Sequence, residues 1–389
     1  MSTTNDPFSL YIHIPYCISK CPYCDFNSHV VADIPERRYT DAVLYELDHY
    51  GRPSDWQGRP VQSIFFGGGT PSTFMPGSIK RILDQVAESF PVAPSCEITL
   101  EANPGTIDQR NFSGYREAGV NRISVGVQSF EPRLLKFLGR VHSADDARTA
   151  LEVVKRAGFD NFSFDLIYAN PGQTLAELEA DLDAALQFQS PHLSAYNLTF
   201  EEGTPFHHEY RAGKLRSLSE DEEIAMAELI ENRLSDAGLK RYEISNYARP
   251  GRHSRHNMNY WRGGDYLGLG AGAHSYKRTN IDGVQGRRWS NEKNPRRYMA
   301  LVDEAGQAIV DREEIDQAKA AGEFMFLGLR MTEGVSVDSF RAGFGRSPAE
   351  YFPQIADWLE AGLMEQTSGF LRLTHKGMMV ANAIFVQFM

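Results

Sequence analysis

Three cysteines within eight residues offer the most distinctive chemistry in this chain. Cys17-Ile18-Ser19-Lys20-Cys21-Pro22-Tyr23-Cys24 has the spacing C-x3-C-x2-C. Three thiolates on one short loop can hold three irons of a [4Fe–4S] cluster and leave the fourth iron open to a small molecule. A structural zinc ion would need a fourth Cys or His. His13 and His29 lie close enough in sequence to supply one, so a Cys3His zinc site is the competing reading. The fourth cysteine, Cys96, stands alone in Ser95-Cys96-Glu97-Ile98-Thr99-Leu100 and reads as a small buried hydrophobe. A secreted disulfide framework would spread its cysteines along the chain, so a reducing, cytoplasmic compartment fits better.

Further polar residues sit where strands end. Gly67-Gly68-Gly69-Thr70-Pro71 follows a short apolar run; glycines let the backbone approach a ligand closely, and Thr70 adds a hydroxyl. A tight strand-to-helix turn would use the same residues, and the Lys of a phosphate-binding Walker loop is missing. Glu101, Gln128 and Asp165 lie in or at the ends of later strands, and Arg140 follows a helix. Burying a charge without a partner is costly. Either an Asp–Arg salt bridge closes the structure here, or a ligand carrying both signs of charge answers these groups.

The elements that position these residues are legible from periodicity. Residues 10–14, 63–66, 97–101, 122–128, 161–166 and 193–199 read as strands. Between them run helices with a shared ending: in Glu117-Ala118-Gly119-Val120, Arg156-Ala157-Gly158-Phe159 and Asp236-Ala237-Gly238-Leu239 a glycine takes the left-handed terminal position and an apolar residue enters the next element. Ser219-Glu220-Asp221-Glu222 is a capping-box start. The alternation predicts an α/β fold, a partial (β/α)6-type barrel, with a doubly wound open sheet as the structural rival. Such folds place their chemistry at the C-terminal ends of the strands, where the cysteine loop falls. From about residue 291 helices dominate, followed by a hairpin around Ser368-Gly369 and the segment Thr374-His375-Lys376-Gly377. This divides the chain into a barrel domain, 1–290, and a smaller, mainly helical, winged-helix-like domain, 291–389.

With 40 Lys and Arg against 51 Asp and Glu, the net charge is −11. An acidic chain repels phosphate backbones, and the tail has no basic stripe, which argues against nucleic acid as a partner. No run approaches the ~20 apolar residues of a membrane span. The start is short and polar. The expectation is a cytoplasmic protein with no transmembrane segment and at most peripheral membrane contact.

The C-x3-C-x2-C spacing resembles the signature of the radical S-adenosylmethionine (SAM) superfamily. The resemblance implies that the open iron chelates the methionine moiety of SAM and that an electron donor drives its cleavage to a 5′-deoxyadenosyl radical. Taken with the supporting residues over 10–388, the chain resembles the oxygen-independent coproporphyrinogen III oxidase family. The match extends through Glu202-Gly203-Thr204-Pro205-Phe206 and Tyr242-Glu243-Ile244-Ser245-Asn246-Tyr247. It implies SAM contacts at Tyr11, Tyr23, Gly68, Gly69, Thr70, Glu101, Gln128, Arg140 and Asp165. One departure is visible: Ala169-Asn170-Pro171-Gly172-Gln173 stands where the family has Gly-Leu-Pro-Gly-Gln.

Within that family the chain resembles the haem chaperone branch. The oxidases carry a fourth cysteine two residues after the third, where this chain has Phe26, and a longer segment before the cluster, whereas the first cysteine here is residue 17. His256-Asn257-Met258-Asn259-Tyr260-Trp261 matches the branch's haem-linked H-N-x-x-Y-W motif. The resemblance implies that His256 ligates haem iron, with Tyr260 and Trp261 along the macrocycle and His253 as the competing ligand. On the residues alone, one His beside aromatics reads as a structural loop histidine. The segment from Tyr266 to Ser275 reads as a glycine-rich stretch near the barrel mouth, with His274 either facing the SAM site or packed. The implied function is a chaperone that binds haem, a [4Fe–4S] cluster and SAM and passes haem to apo-haemoproteins, with respiratory-chain proteins as recipients and a homodimer left open. The alternative is the oxidase itself, decarboxylating propionate side chains.

Overall fold

The structure is a computed structural model and describes residues 6–52 and 54–389. Its frame is one open twelve-stranded sheet. Six strands come in the repeating pattern: β1 (Phe8–Ile14), β2 (Val61–Gly68), β3 (Val92–Ala102), β4 (Arg122–Gln128), β5 (Phe162–Tyr168) and β6 (His192–Asn197). They are parallel neighbours in sequence order. The crossover helices are α1 (Glu36–Gly51), α2 (Pro76–Ser89), α3 (Gln109–Ala118), α4 (Ala144–Arg156) and α5 (Leu175–Leu186), and α6 (Glu220–Asp236) follows β6. Gly119, Gly158 and Gly238 all have positive φ, so the helix endings read from sequence are formed as expected. Ser219 and Glu222 make a reciprocal capping box.

Strand alternation sorts the residues onto two faces. Leu10, Ile12, Phe66, Leu100, Val125, Phe164 and Leu193 point outward and are buried in the main core. The other face is polar, and register aligns it: Tyr11 pairs with Phe65, Phe65 with Thr99, Glu101 with Ser124, Ser124 with Ser163, and Asp165 with Ser194. A period-two pattern that is apolar on one side and polar on the other is the arrangement of a sheet with helices outside and a ligand space inside. The six-unit partial barrel is therefore present, and its sheet is open rather than closed.

Both edges are extended by strands that the sequence left unassigned. Beyond β6 lie β7 (Lys240–Arg241) and β8 (Asn246–Ala248), with β8 antiparallel to β6. On the free side of β1, the supposed glycine-rich stretch is partly β9 (Tyr266–Leu269), which pairs parallel to β1. It is followed by the antiparallel β10 (His274–Ile281), β11 (Val284–Asn291) and β12 (Ile309–Ile315). These strands carry Lys, Arg, Glu, Thr and Asn at many positions, so no apolar run marks them in the sequence.

Two buried carboxylates hold this extension in place. Glu46 of α1 accepts hydrogen bonds from Gly270 N (2.9 Å), Asn291 Nδ2 (2.7 Å) and the Tyr298 hydroxyl (2.7 Å). This ties α1 to the loop after β9 and to α8 (Pro295–Ala305), whose Tyr298, Met299 and Val302 join the main core. Asp265, immediately before β9, is fully buried and accepts from Arg59 Nη2 (2.6 Å), Arg278 N (2.9 Å) and Arg278 Nε (3.1 Å). Arg59 is 2 % exposed and lies over the rings of Phe8 and Trp56.

A second core is built by 321–388. Met325 and Leu329, Phe340, Ile355, Leu371 and Phe385 pack together, fed by α9 (Gln317–Gly328) and α10 (Val337–Phe344). A three-stranded antiparallel sheet, with Phe370–Leu373 between Val335–Ser336 and Met364–Thr367, gives the helix-and-wing form read from the sequence.

Removing one partner of a buried ion pair strands the other charge and costs about 3–5 kcal/mol. Asp265→Asn and Arg59→Met are each expected to lower unfolding free energy by that order. The double variant should lose clearly less than the two losses added together. Urea denaturation of the four proteins checks this; additive losses would show that the pair is not coupled.

Candidate functional site

The cysteine loop leaves the end of β1 and is tied to itself. Tyr16–Cys17 pairs parallel with His29–Val30, Cys24 N donates to Cys21 O (3.1 Å), and the Lys20 ammonium donates to Phe26 O (3.1 Å) and Ser28 O (3.4 Å). Cys17, Cys21 and Cys24 are all half-buried and free of disulfides. Neighbouring strand ends supply donors to two sulfurs: the Thr70 hydroxyl lies 3.3 Å from Cys17 Sγ, and Arg140 Nη1 lies 3.4 Å from Cys21 Sγ. Arg140 also reaches the Tyr23 hydroxyl (3.4 Å) and Gly126 O (2.9 Å). Burial pushes the thiols of Cys17 and Cys24 up, and a metal bound there displaces their protons and holds the sulfurs as thiolates. Donors aimed at sulfur are the outer support that metal-bound thiolates use, so the donor set fits an iron–sulfur cluster.

The zinc reading is not met. His13 Nε2 faces Asn27 O at 2.8 Å and so carries the proton, and Nδ1 accepts from the Tyr11 hydroxyl at 3.0 Å. His29 Nε2 is taken by Asn27 Oδ1 at 3.2 Å. Both candidate fourth ligands thus have hydrogen-bond work elsewhere. Among the described residues no three His, Cys, Asp or Glu side chains gather closely enough to hold a single ion.

The glycine turn after β2 is tightly fitted. Gly68 has φ +114°, and a Cβ there would sit 2.4 Å from the His13 ring; at Gly69 a Cβ would sit 2.7 Å from Tyr16 O. Only glycine keeps this backbone against the start of the cysteine loop. Gly68 N donates to Glu101 Oε2 at 3.2 Å. Burial, with Asp165 adding to it, pushes the Glu101 carboxyl up to about 8. Burial pushes Asp165 up to about 6, against the pull of Ser194, Arg122 and Arg140. The Asp–Arg bridge does not form: Asp165 turns to Ser194, and Arg140 turns to the cysteine loop with its Nε buried and unpartnered. Gln128 ends β4 with φ +70°, a left-handed conformation rare for a side chain-bearing residue, at a register shift between β4 and β5. Tyr11, Gly68, Gly69, Thr70, Glu101, Gln128, Arg140 and Asp165 are thus gathered at the inner face and C-terminal ends of the strands, with Tyr23 beside Arg140. Arg122 was missed. It is buried on the same inner face, donates to Ser163 Oγ (2.9 Å), and lends its positive charge to both carboxylates. A charged residue on the polar side of a strand was the available signal.

The H-N-x-x-Y-W segment forms the short helix α7 (Arg255–Trp261). His256 is 1 % exposed. Its Nδ1 lies 3.0 Å from Ser63 Oγ, its Nε2 lies 2.9 Å from the Tyr260 hydroxyl, and its ring stacks on Phe65 at 4.9 Å. Burial pushes the imidazole down to about 3, so it is neutral. Both ring nitrogens are engaged, and neither is presented to a ligand. Tyr260 and Trp261 do border an open cavity of about 1650 Å³ between β9–β11 and the α9–α10 face. His253 is exposed and stacked on Tyr242 at 4.2 Å; His274 is exposed at the start of β10. Phe26 is 59 % exposed, so the position of the absent fourth cysteine faces solvent. Ala169 takes φ +58° where the resembled family has glycine, and the turn survives with Asn170 Nδ2 on Ile167 O (2.9 Å).

A cysteine triad at the head of an open parallel sheet, with a glycine turn and inward carboxylates beside it, is the layout of a radical SAM protein. Residues 11–185 match the radical SAM superfamily model, and residues 315–380 match that of the HemN C-terminal domain. The chain is 36% identical to the heme chaperone HemW of Bacillus subtilis (strain 168), over 98% of this chain and 99% of that protein. It is 37% identical to HemW of Escherichia coli (strain K12), over 98% of each. It is similar at 38% to HemW of Haemophilus influenzae, again over 98% of each. This chain belongs to the heme chaperone HemW family. Its fold is shared with coproporphyrinogen III oxidase (HemN) from Escherichia coli, at a TM-score of 0.83 and 23% identity over 99% of this chain and 91% of that one.

Glu101 keeps its proton in the folded protein to about pH 8, whereas the unfolded chain releases it near 4.5. The folded state then binds more protons in that window, so its stability falls as pH rises from about 4.5 to 8. In cofactor-free protein, Glu101→Gln should remove this fall. The variant should exceed wild type by up to about 5 kcal/mol at pH 8.5, the rise from 4.5 to about 8 taken at about 1.4 kcal/mol per pKa unit, and match it near pH 4.5. Denaturant titration at the two pH values tests this; a constant difference between the proteins would contradict it.

Proposed function

We propose that this chain is a radical SAM heme chaperone, which holds a [4Fe–4S] cluster on Cys17, Cys21 and Cys24, binds SAM beside it, and carries haem to apo-haemoproteins, those of the respiratory chain among them. The observation that carries the reading is the meeting of the cysteine loop, with Thr70 and Arg140 on its sulfurs, and two proton-retaining carboxylates on one inner face. Cluster and SAM together supply one-electron chemistry. The chain's own residues do the binding. The backbone of Gly68 and Gly69 leaves a close approach for the methionine end of SAM, and the carboxyls of Glu101 and Asp165 face its ammonium and hydroxyl donors, the ammonium's positive charge drawing off the protons that burial favours in the bare protein. Gln128 adds an amide held in a strained conformation, and Arg140 couples the cysteine loop to β4. The same-length similarity to HemW proteins supports haem as cargo. No helix is long and apolar enough to cross a membrane among the described residues.

Anaerobic reconstitution tests the reading. Wild type should carry about four irons and bind SAM; Cys17→Ser/Cys21→Ser/Cys24→Ser should lose both. Asp165→Asn should keep the iron and bind SAM about tenfold to hundredfold more weakly, the loss expected for a charged hydrogen-bond acceptor. Iron retained by the triple variant would overturn the cluster assignment. Stepwise loss of carbon dioxide from coproporphyrinogen, followed by mass spectrometry, would replace the chaperone with the oxidase.

A further inference from the structure

Beneath the two inward carboxyls lies a fixed positive charge. Arg122 opens β4 on the inner face and is 2 % exposed. Register defines its surroundings. It pairs with Thr99, which is one inward step below Glu101 on β3. A two-residue step keeps a side chain on the same face of a strand. Its Nη2 donates to Ser163 Oγ at 2.9 Å, one inward step below Asp165 on β5, and that hydroxyl donates on to Ser124 Oγ at 3.0 Å. Arg122 therefore stands one layer below each carboxyl. Among the described residues it forms no ion pair, and its Nε is buried without a partner. Glu97, the next inward residue down β3, turns its Oε1 to His256 N at 3.2 Å instead. A guanidinium keeps its proton when buried, so its charge must be answered from somewhere.

The other titratable groups around it are neutral. Burial holds the imidazoles of His192 and His256 down and the phenols of Tyr11, Tyr196 and Tyr242 up, so none of the five is charged near neutral pH. Arg140 also faces Asp165, but its guanidinium is taken up by the cysteine loop and Gly126 O. Among the described residues, Arg122 is the one cation that acts on both Glu101 and Asp165. Taking the SAM-binding reading as its basis, we propose that Arg122 is a positioning residue of the SAM site, whose fixed charge favours ionisation of the two carboxyls above it and so sets the pH range over which they release protons to receive the ligand. A cation beside a carboxyl favours its charged form, and burial opposes it. In the bare site the balance leaves Glu101 protonated to about pH 8 and Asp165 to about pH 6. The ligand's ammonium prefers the ionised forms. SAM affinity then rises with pH until Glu101 is ionised in the free protein, and between about pH 6 and about pH 8 binding releases a proton from Glu101. Without the charge of Arg122 that rise moves to higher pH.

The test is calorimetric titration of the full-length, cluster-reconstituted protein with SAM across this range, in buffers of differing ionisation enthalpy, which counts the protons released. Wild type should tighten with pH up to about 8 and release close to one proton per SAM near pH 7. Arg122→Gln keeps a donor for Ser163 without the charge. It should bind SAM about tenfold more weakly near pH 7 and come within about twofold of wild type near pH 9, a displacement of about one pH unit. Arg122→Met is a second uncharged variant and should give the same displacement. Arg122→Lys should restore the wild-type profile. The ligand's own titration is common to all four proteins and cancels in the comparison. A merely structural role would lower affinity by one factor at every pH. In cofactor-free protein, carbon-13 NMR of the Glu101 and Asp165 carboxyls should show both titrating at higher pH in the uncharged variants than in wild type. The proposal is overturned if those titrations do not move, if the uncharged variants lose the same factor throughout, or if Arg122→Lys behaves as they do. SAM binding by wild type that ignores pH and releases no proton overturns it alone, whereas iron-loaded wild type that binds no SAM at any pH brings down the SAM reading itself.

Discussion

A single fully buried carboxylate, Asp265, settles how this chain departs from a simple run of βα units. Its oxygens take Arg59 from the turn before β2 and both the backbone and the side chain of Arg278 from β10, while its carbonyl receives Ser9 N of β1. Such a charge cannot stay buried without these partners, so the chain returning from α7 can dock at the free edge of β1 in one register only. Tyr266 is the next residue. The strand that carries it, and the antiparallel hairpin after it, therefore inherit their orientation from the ion pair. Without it, β1 would be an exposed edge, and the sheet would have no wall facing the second core.

The other side of β1 shows a different economy. There the inner face collects groups that the fold by itself leaves unmatched. Glu101 and Asp165 are held where burial disfavours their charge, Gln128 is held in a left-handed conformation, and the buried Arg140 Nε is without a partner. Each of these costs stability, and they cluster within one space beside the cysteine loop. Strain and unmatched charge collected in this way mark a preorganised binding site rather than a core. The stability comes from the opposite face, where the apolar residues of the same strands meet the helices.

Most of this was legible in the sequence because it rests on local rules. The six strands announce themselves by alternation, the helix ends by Ala-Gly, and the cysteine loop by spacing; each needs only near neighbours in the chain. The parts that were not legible depend on distant partners. β9 is only four residues long and β10 to β12 are polar strands, and all four owe their identity to docking on β1 and on one another, so no long apolar period marks them. Arg122 looks like an ordinary strand start until the register places it under the carboxylates. Ala169 shows the converse: the motif departs from glycine, yet the backbone keeps the left-handed turn because Asn170 and Gln173 hold it from within.

The H-N-x-x-Y-W segment is where residue type and role separate. A four-residue step on a helix returns to the same side, so His256 and Tyr260 meet. The bonding that follows asks for an imidazole regardless of any iron. It needs two nitrogens in one flat ring, one for Ser63 on β2 and one for the Tyr260 phenol, and a face to stack on Phe65. Phe65 is in register with Tyr11, which lies against the glycine turn, while Tyr260 opens on the cavity. The motif thus forms the packed contact between the cofactor face and the cavity face of one sheet. Its histidine is required for that contact by shape and hydrogen bonding.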